Sequence, residues 1–337
     1  MIASARLLLI SPTFHGYWRS IEDAFARRGY ETRTIRYDAY DTAVDKLRLK
    51  ATVELPEKLG RGAARRAAET RRLTDRVIEA LRTVQPDRVV VIKGDALDHR
   101  FWDALGNTPR ILWLYDDLHR HDYRLDFLRH VGPIVDYARS ETDRLAAEGV
   151  DAHFVANAFD PHRVSPPTRR TGEVVFIGSG YANRYEILSE LAARGLPVHA
   201  WGRDFSRHPV DRLRTFSWRR PALAASREVP LDRAYEIHAE GAAAVAIHGL
   251  QEGHAMRTFE IPGMGGVQLV DREDVDQFYD VGTEVALWRD VDELEELARR
   301  AVEDPVWGDR MREAGRARTL AEHTFDHRIA EVDALWH

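Results

Sequence analysis

At 337 residues, with 44% hydrophobic and 31% charged side chains, the chain has the composition of an ordinary globular protein and, at about 150 residues per domain, the length of two. A formal net charge of −6 argues against stable nucleic-acid binding, and the lack of cysteine excludes disulfides, thiolate nucleophiles and Cys-ligated zinc. The opening MIASARLLLISPTF has one Arg and an apolar run too short for a secretion signal or a membrane span, so no transmembrane segment and a cytoplasmic location are expected.

RLLLI (6–10) reads as a buried strand, and SPTFHGYWRS leads into a helix that runs to Arg28 and stops at Gly29. YETRTIRY is a second strand, which sets up the strand–helix–strand rhythm of an open parallel sheet with a ligand crevice at the strand C-termini. The Arg/Ala-rich stretch 41–85 predicts one or two surface helices, with Arg61 to Arg72 on a solvated face. Further strands end at Lys93-Gly94-Asp95 (DRVVVIKGDAL) and at Asp116-Asp117 (RILWLYDDLHRHD), and PIVDYARS and AHFVANAF complete the half. Pro161, Pro166 and Pro167, with Arg169 and Arg170, mark a domain boundary. The expected division is 1–165, 171–320 and a closing segment 321–337.

The second half restarts with EVVFIGSGYANRYEILSELAARG, a strand, a glycine loop at Gly178 and a helix. GSG lacks the third glycine and the distal acid of a dinucleotide fingerprint, but suits a phosphate-facing turn. VHAWGRD is the next strand, and 206–230 reads as irregular and Pro/Arg-rich. PLDRAYEIHAEG predicts a helix, the run at 243–247 a buried strand ending near His248, and VQLVD another strand. His248 reads either as a group approaching a ligand or as a buried, hydrogen-bonded imidazole.

Between those last two strands lies QEGHAMRTFEIPGMGG. A helix starting near His254 or Ala255 aims its first amides and its dipole at the strand end, an arrangement suited to phosphate, and Arg257 adds a fork of donors. Glu260 then lies two turns below Glu252, and a carboxylate there accepts both hydroxyl protons of a vicinal diol. The combination points to a sugar nucleotide. Of the 49 basic residues only Lys46, Lys50, Lys58 and Lys93 are lysines, a bias that reflects a GC-rich genome and discounts inferences from single arginines.

Glu252 and Glu260 fit the E-x7-E pattern of group 1 glycosyltransferases. RTFEIPGMGGVQLVD resembles the R-x-FE-x-x-x-x-GG signature of their CgeB-like, spore-maturation-type branch, and EDPVWGDRMREAGRARTLAEHTFDHRIAEV is similar to that branch's closing helices. The likeness covers roughly 174–332 well and the first half loosely. It implies a bacterial enzyme of the α/β GT-B class, two Rossmann-like doubly wound domains facing a cleft, with the last helix crossing back to the first domain. The donor, a nucleotide diphospho-sugar acting as co-substrate, is expected on the second domain: Glu260 on the ribose, Glu252 near the sugar, and Gly178, Arg184, Arg203, His254, Arg257 and Thr258 around the diphosphate. Lys93, Asp95 and Asp116 are expected to bind an acceptor, whether small molecule, glycan, lipid or macromolecule.

No cofactor and no metal are expected, since no Asp-x-Asp motif closes a strand of the second half; arginines and the helix terminus would neutralise the diphosphate. Asp116, Asp117, His119 and His121 also resemble a metal ligand set, although the two acids are adjacent rather than spaced. His15, after the first strand, is the candidate base of an inverting reaction, with Asp117 as a further catalytic carboxylate. The Glu pair favours retention instead. A nucleotide-sugar 2-epimerase and a non-catalytic nucleotide-sugar binder are the alternative functions.

Overall fold

The computed structural model describes residues 4–38, 63–216, 218, 220, 222–249 and 251–336. The part of the predicted helical stretch from 41 to 62, with Arg61, lies outside these residues.

Six short apolar runs of the first half form one parallel sheet. Its strands are β1 (Arg6–Ser11), β2 (Glu31–Arg36), β3 (Arg88–Ile92), β4 (Arg110–Trp113), β5 (Ile134–Asp136) and β6 (Ala152–Phe154), in the order β2-β1-β3-β4-β5-β6. Between them run α1 (Tyr17–Arg27), α2 (Ala63–Val84), α3 (His99–Leu105), α4 (Leu125–Leu128) and α5 (Arg139–Ala147). Leu7 to Ile10 and Val89 to Val91 are fully buried residue after residue, which requires cover on both faces of the sheet. Gly29 stops α1 with φ +96°, a conformation that costs glycine little. In α2 the residues at the 4-residue spacing, Leu73, Val77 and Leu81, face inward, while Arg65, Arg66, Arg71 and Arg72 are exposed as predicted.

The second sheet contains β7 (Val174–Ile177), β8 (Val198–Trp201), β9 (Ala224–Ser226), β10 (Ala243–Ala246), β11 (Gln268–Val270) and β12 (Ala286–Leu287), in the order β12-β11-β10-β7-β8-β9, also parallel. Its helices are α6 (Ala182–Ala193), α7 (Pro209–Thr215), α8 (Leu231–Glu240), α9 (Arg257–Gly263), α10 (Val291–Glu303) and α11 (Pro305–Glu322), and the chain closes with α12 (Phe325–Ala334). The stretch 206–230 is more regular than expected. Pro209 takes the first helical position, where its fixed φ suits a helix, and the His208 ring accepts a hydrogen bond from the Val210 amide at 3.2 Å, so α7 forms and β9 follows.

Chain direction across each sheet reverses at one point, between β1 and β3 in the first and between β7 and β10 in the second. With right-handed crossovers, both sheets are doubly wound, and the loops leaving those strand pairs open a crevice at their C-terminal ends.

By contacts, one unit comprises the chain through Ala156 together with Arg328 onward, and the other Asn157–His327. The division therefore falls before the prolines at 161–167. Asn157 and Phe159 are bound into the second unit: Asn157 Nδ2 donates to the His254 carbonyl at 2.8 Å and the Phe159 amide to the His323 carbonyl at 2.9 Å. In the first unit Arg28 Nε and Arg88 Nη1 donate to Asp333 at 2.7 and 3.2 Å.

The glycines that exit α9 have steric reasons. A Cβ on Gly263 would stand 2.5 Å from the Phe159 ring, and one on Gly266 would stand 2.6 Å from the His238 carbonyl oxygen. Over them lies α11, whose buried Arg312 donates to the carbonyls of Ala239, Gly265, Gly241 and Ala242 at 3.1, 2.8, 2.6 and 3.0 Å. Burial pushes its guanidinium pKa down to about 10.

Candidate functional site

The β7/β10 switch point gathers much of the predicted donor set. Arg184, in the first turn of α6, bridges the two strand ends: Nε and Nη2 donate to the Ile247 carbonyl at 3.0 and 2.6 Å, and Nη1 to the Ser179 carbonyl at 3.1 Å. The Arg257 side chain, from the start of α9, reaches the same place. A Cβ on Gly178 would meet its Nη2 at 3.1 Å, so glycine leaves the guanidinium its room. Burial, and then repulsion from Arg257, lower the Arg184 pKa to about 10. Arg257 makes no ion pair or hydrogen bond through its side chain among the described residues. Two cations thus converge on a strand-end crevice, and one of them, Arg184, is anchored to carbonyls. The Tyr181 ring lies 4.8 Å below the Arg184 guanidinium.

Beside them runs a chain of buried polar groups. His248 Nδ1 is 2.6 Å from Asp271 Oδ1, its Nε2 is 3.3 Å from Thr258 Oγ1, and Thr258 Oγ1 is 3.4 Å from His254 Nδ1. His254 Nε2 in turn lies 3.1 Å from Asp274. Burial lowers the His254 pKa, and the imidazole in turn holds the Asp274 carboxyl well below the usual range. Arg272 donates to the carbonyls of Gln251, Glu252 and Gly253 at 3.2, 3.0 and 3.0 Å, fixing the loop that carries Glu252.

Asp271, Arg272 and Asp274 were not singled out by sequence reasoning. Their signal was the charged DRED directly after a buried strand.

Several expectations change. The helix opens at Arg257, two or more residues later than expected, and spans only seven residues with Pro262 inside, so its dipole is small. Glu252 therefore sits in the loop, and its spacing from Glu260 is not a helical phase. Arg257 and Glu260, three apart, do share a helix face. Glu260 is buried, near enough to Tyr235 that its charge adds to burial in raising the phenol's pKa. Thr258 is wholly enclosed and His254 nearly so, and both take part in the polar chain that starts at Asp271. Arg203 is exposed after β8 and forms an ion pair with Glu228.

In the first unit the candidate residues gather at the ends of β1, β3 and β4. Lys93 Nζ donates to Asp116 Oδ2 at 2.8 Å, and Arg120 Nη1 is 3.2 Å from Asp116 Oδ1. His121 Nδ1 lies 3.2 Å from Asp95. Burial alone would raise the Asp95 pKa, but His121 and Lys93 outweigh it and lower it. The four-residue ligand pattern is therefore pulled apart: Asp116 faces two cations, His121 faces Asp95, and His119 is exposed. Asp117 is 0% exposed and accepts the Tyr137 hydroxyl proton at 2.5 Å, so as a catalytic group it is placed to orient others and not to touch a reactant.

His15, Lys93 and Tyr115 have φ values of +49°, +61° and +60°. Three non-glycine residues in the left-handed region, after three neighbouring strands, concentrate backbone strain at the β1/β3 crevice. His15 is exposed there. Nothing in the sequence marked this strain.

Among the described residues no helix is long and apolar enough to cross a membrane. No curated protein matches the sequence. Among solved structures, the fold resembles a glycosyltransferase from Rickettsia africae, with a TM-score of 0.67 and 10% identity over 99% of this chain and 98% of that one. It also resembles Anabaena HepE in complex with UDP and glucose, with 0.63 and 10% over 98% and 99%. TarM gives 0.58 at 8% identity, and this chain spans only 57% of it. Both doubly wound sheets with their interleaved helices thus have the GT-B fold. Residues 184–334, the stretch that carries Arg184, Arg257 and Glu260, match the protein family described as glycosyl transferase-like.

Proposed function

We propose that the protein is a CgeB-like glycosyltransferase that moves a sugar from a nucleotide diphospho-sugar to a hydroxyl acceptor. The observation that carries this reading is the convergence of Arg184 and Arg257 at the β7/β10 switch point. A diphosphate placed there relieves the repulsion between the guanidiniums and accepts bidentate, charge-assisted hydrogen bonds from Arg257. The same contact strengthens as the diphosphate departs with its extra charge, which is where catalysis of glycosyl transfer needs it. On the Arg257 face of α9, Glu260 binds the ribose diol, and Glu252, in the loop fixed by Arg272, lies toward the sugar. HepE binding UDP and glucose on this fold supports a donor of that class.

The acceptor is assigned to the β1/β3 crevice of the first unit, lined by Lys93, Asp95 and Asp116, with His15 as the base in an inverting reaction. Binding through arginines makes the reaction independent of a metal ion.

The test is calorimetric titration of uridine and guanosine diphosphates and their sugars against the full chain. One of them should bind, and Arg257→Ala should weaken it about 10- to 100-fold, the range for a charge-assisted hydrogen bond of about 1.5–3 kcal/mol. Unchanged affinity in Arg257→Ala overturns the donor site. Turnover of the donor sugar to its epimer without acceptor would move the assignment to a 2-epimerase.

A further inference from the structure

Of the seven large hydrophobic side chains exposed among the described residues, four fall within nine positions at α7 and its exit: Val210, Leu213, Phe216 and Trp218, at 45, 62, 75 and 68% exposure. Val210 and Leu213 are three apart and share one side of the helix, and Phe216 follows three residues later, turned by a left-handed φ of +49°. The opposite side is pinned. Buried Asp211 accepts from Arg227 Nε and Nη2 at 2.8 and 3.1 Å, and Arg220 donates to the Ser206 carbonyl at 2.8 Å and to Thr215 Oγ1 at 2.7 Å. The apolar tips are therefore held outward by an element anchored from behind.

Between positions 207 and 218 the exposed charge has one sign. Arg207, which donates to the Leu223 carbonyl at 3.4 Å, and Arg214 are exposed, while the acid of that stretch, Asp211, is inside. Just before it, Asp204 accepts the Gly180 amide at 2.8 Å and Arg203 is already paired with the exposed Glu228. On a chain of net charge −6, this is a local cationic rim about an aromatic tip. That combination suits the boundary between lipid headgroups and acyl chains, where Trp and Phe enter and Arg meets phosphate. A second copy of the chain docked two-fold on the same patch would set these arginines against one another, a repulsion an anionic bilayer does not impose.

We propose that this face of the second unit docks on an anionic lipid surface, with Leu213, Phe216 and Trp218 entering the headgroup region and Arg207 and Arg214 contacting lipid phosphates. This docking needs neither nucleotide nor turnover, so it stands or falls apart from the donor site.

The experiment is co-sedimentation of the full chain with vesicles of phosphatidylcholine alone and of phosphatidylcholine mixed with phosphatidylglycerol in equal parts. The chain should partition onto the mixed vesicles and not onto the neutral ones, and salt well above 0.1 M should release it as the Debye length falls below about 10 Å. Replacing both Phe216 and Trp218 by Ser should lower the partition coefficient about tenfold or more. Arg207→Glu with Arg214→Glu should do so by about the same factor without touching an apolar residue. Val306→Ser, at another exposed apolar side chain, should leave binding unchanged. Failure of the wild type to bind mixed vesicles overturns the proposal, as does undiminished binding of a variant whose melting midpoint matches the wild type. A dimer in sedimentation velocity that the Phe216/Trp218 variant dissolves, without vesicle binding, assigns the patch to self-association and also overturns it.

Discussion

Arg257 and Glu260 divide a single ligand between them, which makes their roles separable. If Glu260 holds the ribose diol, Glu260→Ala should lower nucleoside diphosphate affinity about tenfold, the scale of one charged hydrogen bond pair. The 2′-deoxynucleotide, already lacking one hydroxyl, should lose less. Titration of both ligands against both proteins closes the cycle, and equal losses would remove Glu260 from the ribose. His15 is tested by turnover. In an inverting enzyme His15→Ala should cut kcat by about 100-fold or more while donor affinity stays, since the imidazole only takes the acceptor proton. A variant that keeps its rate points to retention, in which the departing phosphate takes that proton.

How much of this was legible depended on how local each cause is. Strands β1, β3 and β7 were readable because both faces of their sheets are covered, which leaves an unbroken apolar run. The late start of α9 was not: GHAM carries no helix breaker after its glycine, and what holds it in a loop is Arg272, reaching back about 20 residues to the carbonyls of 251–253. Likewise α7 was hidden because proline was read as disruptive where it begins a helix. The family signature RTFEIPGMGG was legible as a motif, yet its glycines answer to Phe159 and His238, and its scaffold is Arg312 on a helix 50 residues away. Arg312→Met should strip four buried carbonyls of their donor at little cost in volume and destabilise the second unit by about 3–5 kcal/mol. Chemical denaturation with a probe in that unit measures it, and a loss below 1 kcal/mol would mean water replaces the guanidinium.

For the molecule as a whole, opposed titrations should shape stability. Burial, with the Glu141 carboxylate close by, raises the Asp136 pKa to about 8, so the folded chain holds a proton that the unfolded chain releases near pH 4. That contribution is complete at low pH and is lost as pH rises to about 8. Burial lowers His238 to about 3, so its imidazole stays neutral when folded but takes up a proton when unfolded below about 6.5, and burial shifts His254 in the same direction. Their contribution is present above that value and is lost as pH falls. Below about 6.5 two histidines outweigh one carboxyl, and above it the carboxyl acts alone, so the melting midpoint should peak near pH 6.5. Asp136→Asn, which keeps an acceptor for the Ala138 amide that now donates at 3.0 Å, should flatten the alkaline limb and spare the acid one. Calorimetry across pH 4–9 checks both limbs, and an alkaline limb unchanged in the variant would sink the assignment.

The first unit is interrupted in sequence, with residues 328 onward returning to it after the whole of the second. Asp333, which ties Arg28 and Arg88 together, is made after every residue of 157–327. During synthesis the second unit can therefore close on its own residues as they emerge, while the first, begun earlier, waits for its last partner. The order of completion is the reverse of the order of translation, and until Asp333 arrives the cations at positions 28 and 88 await their shared anion.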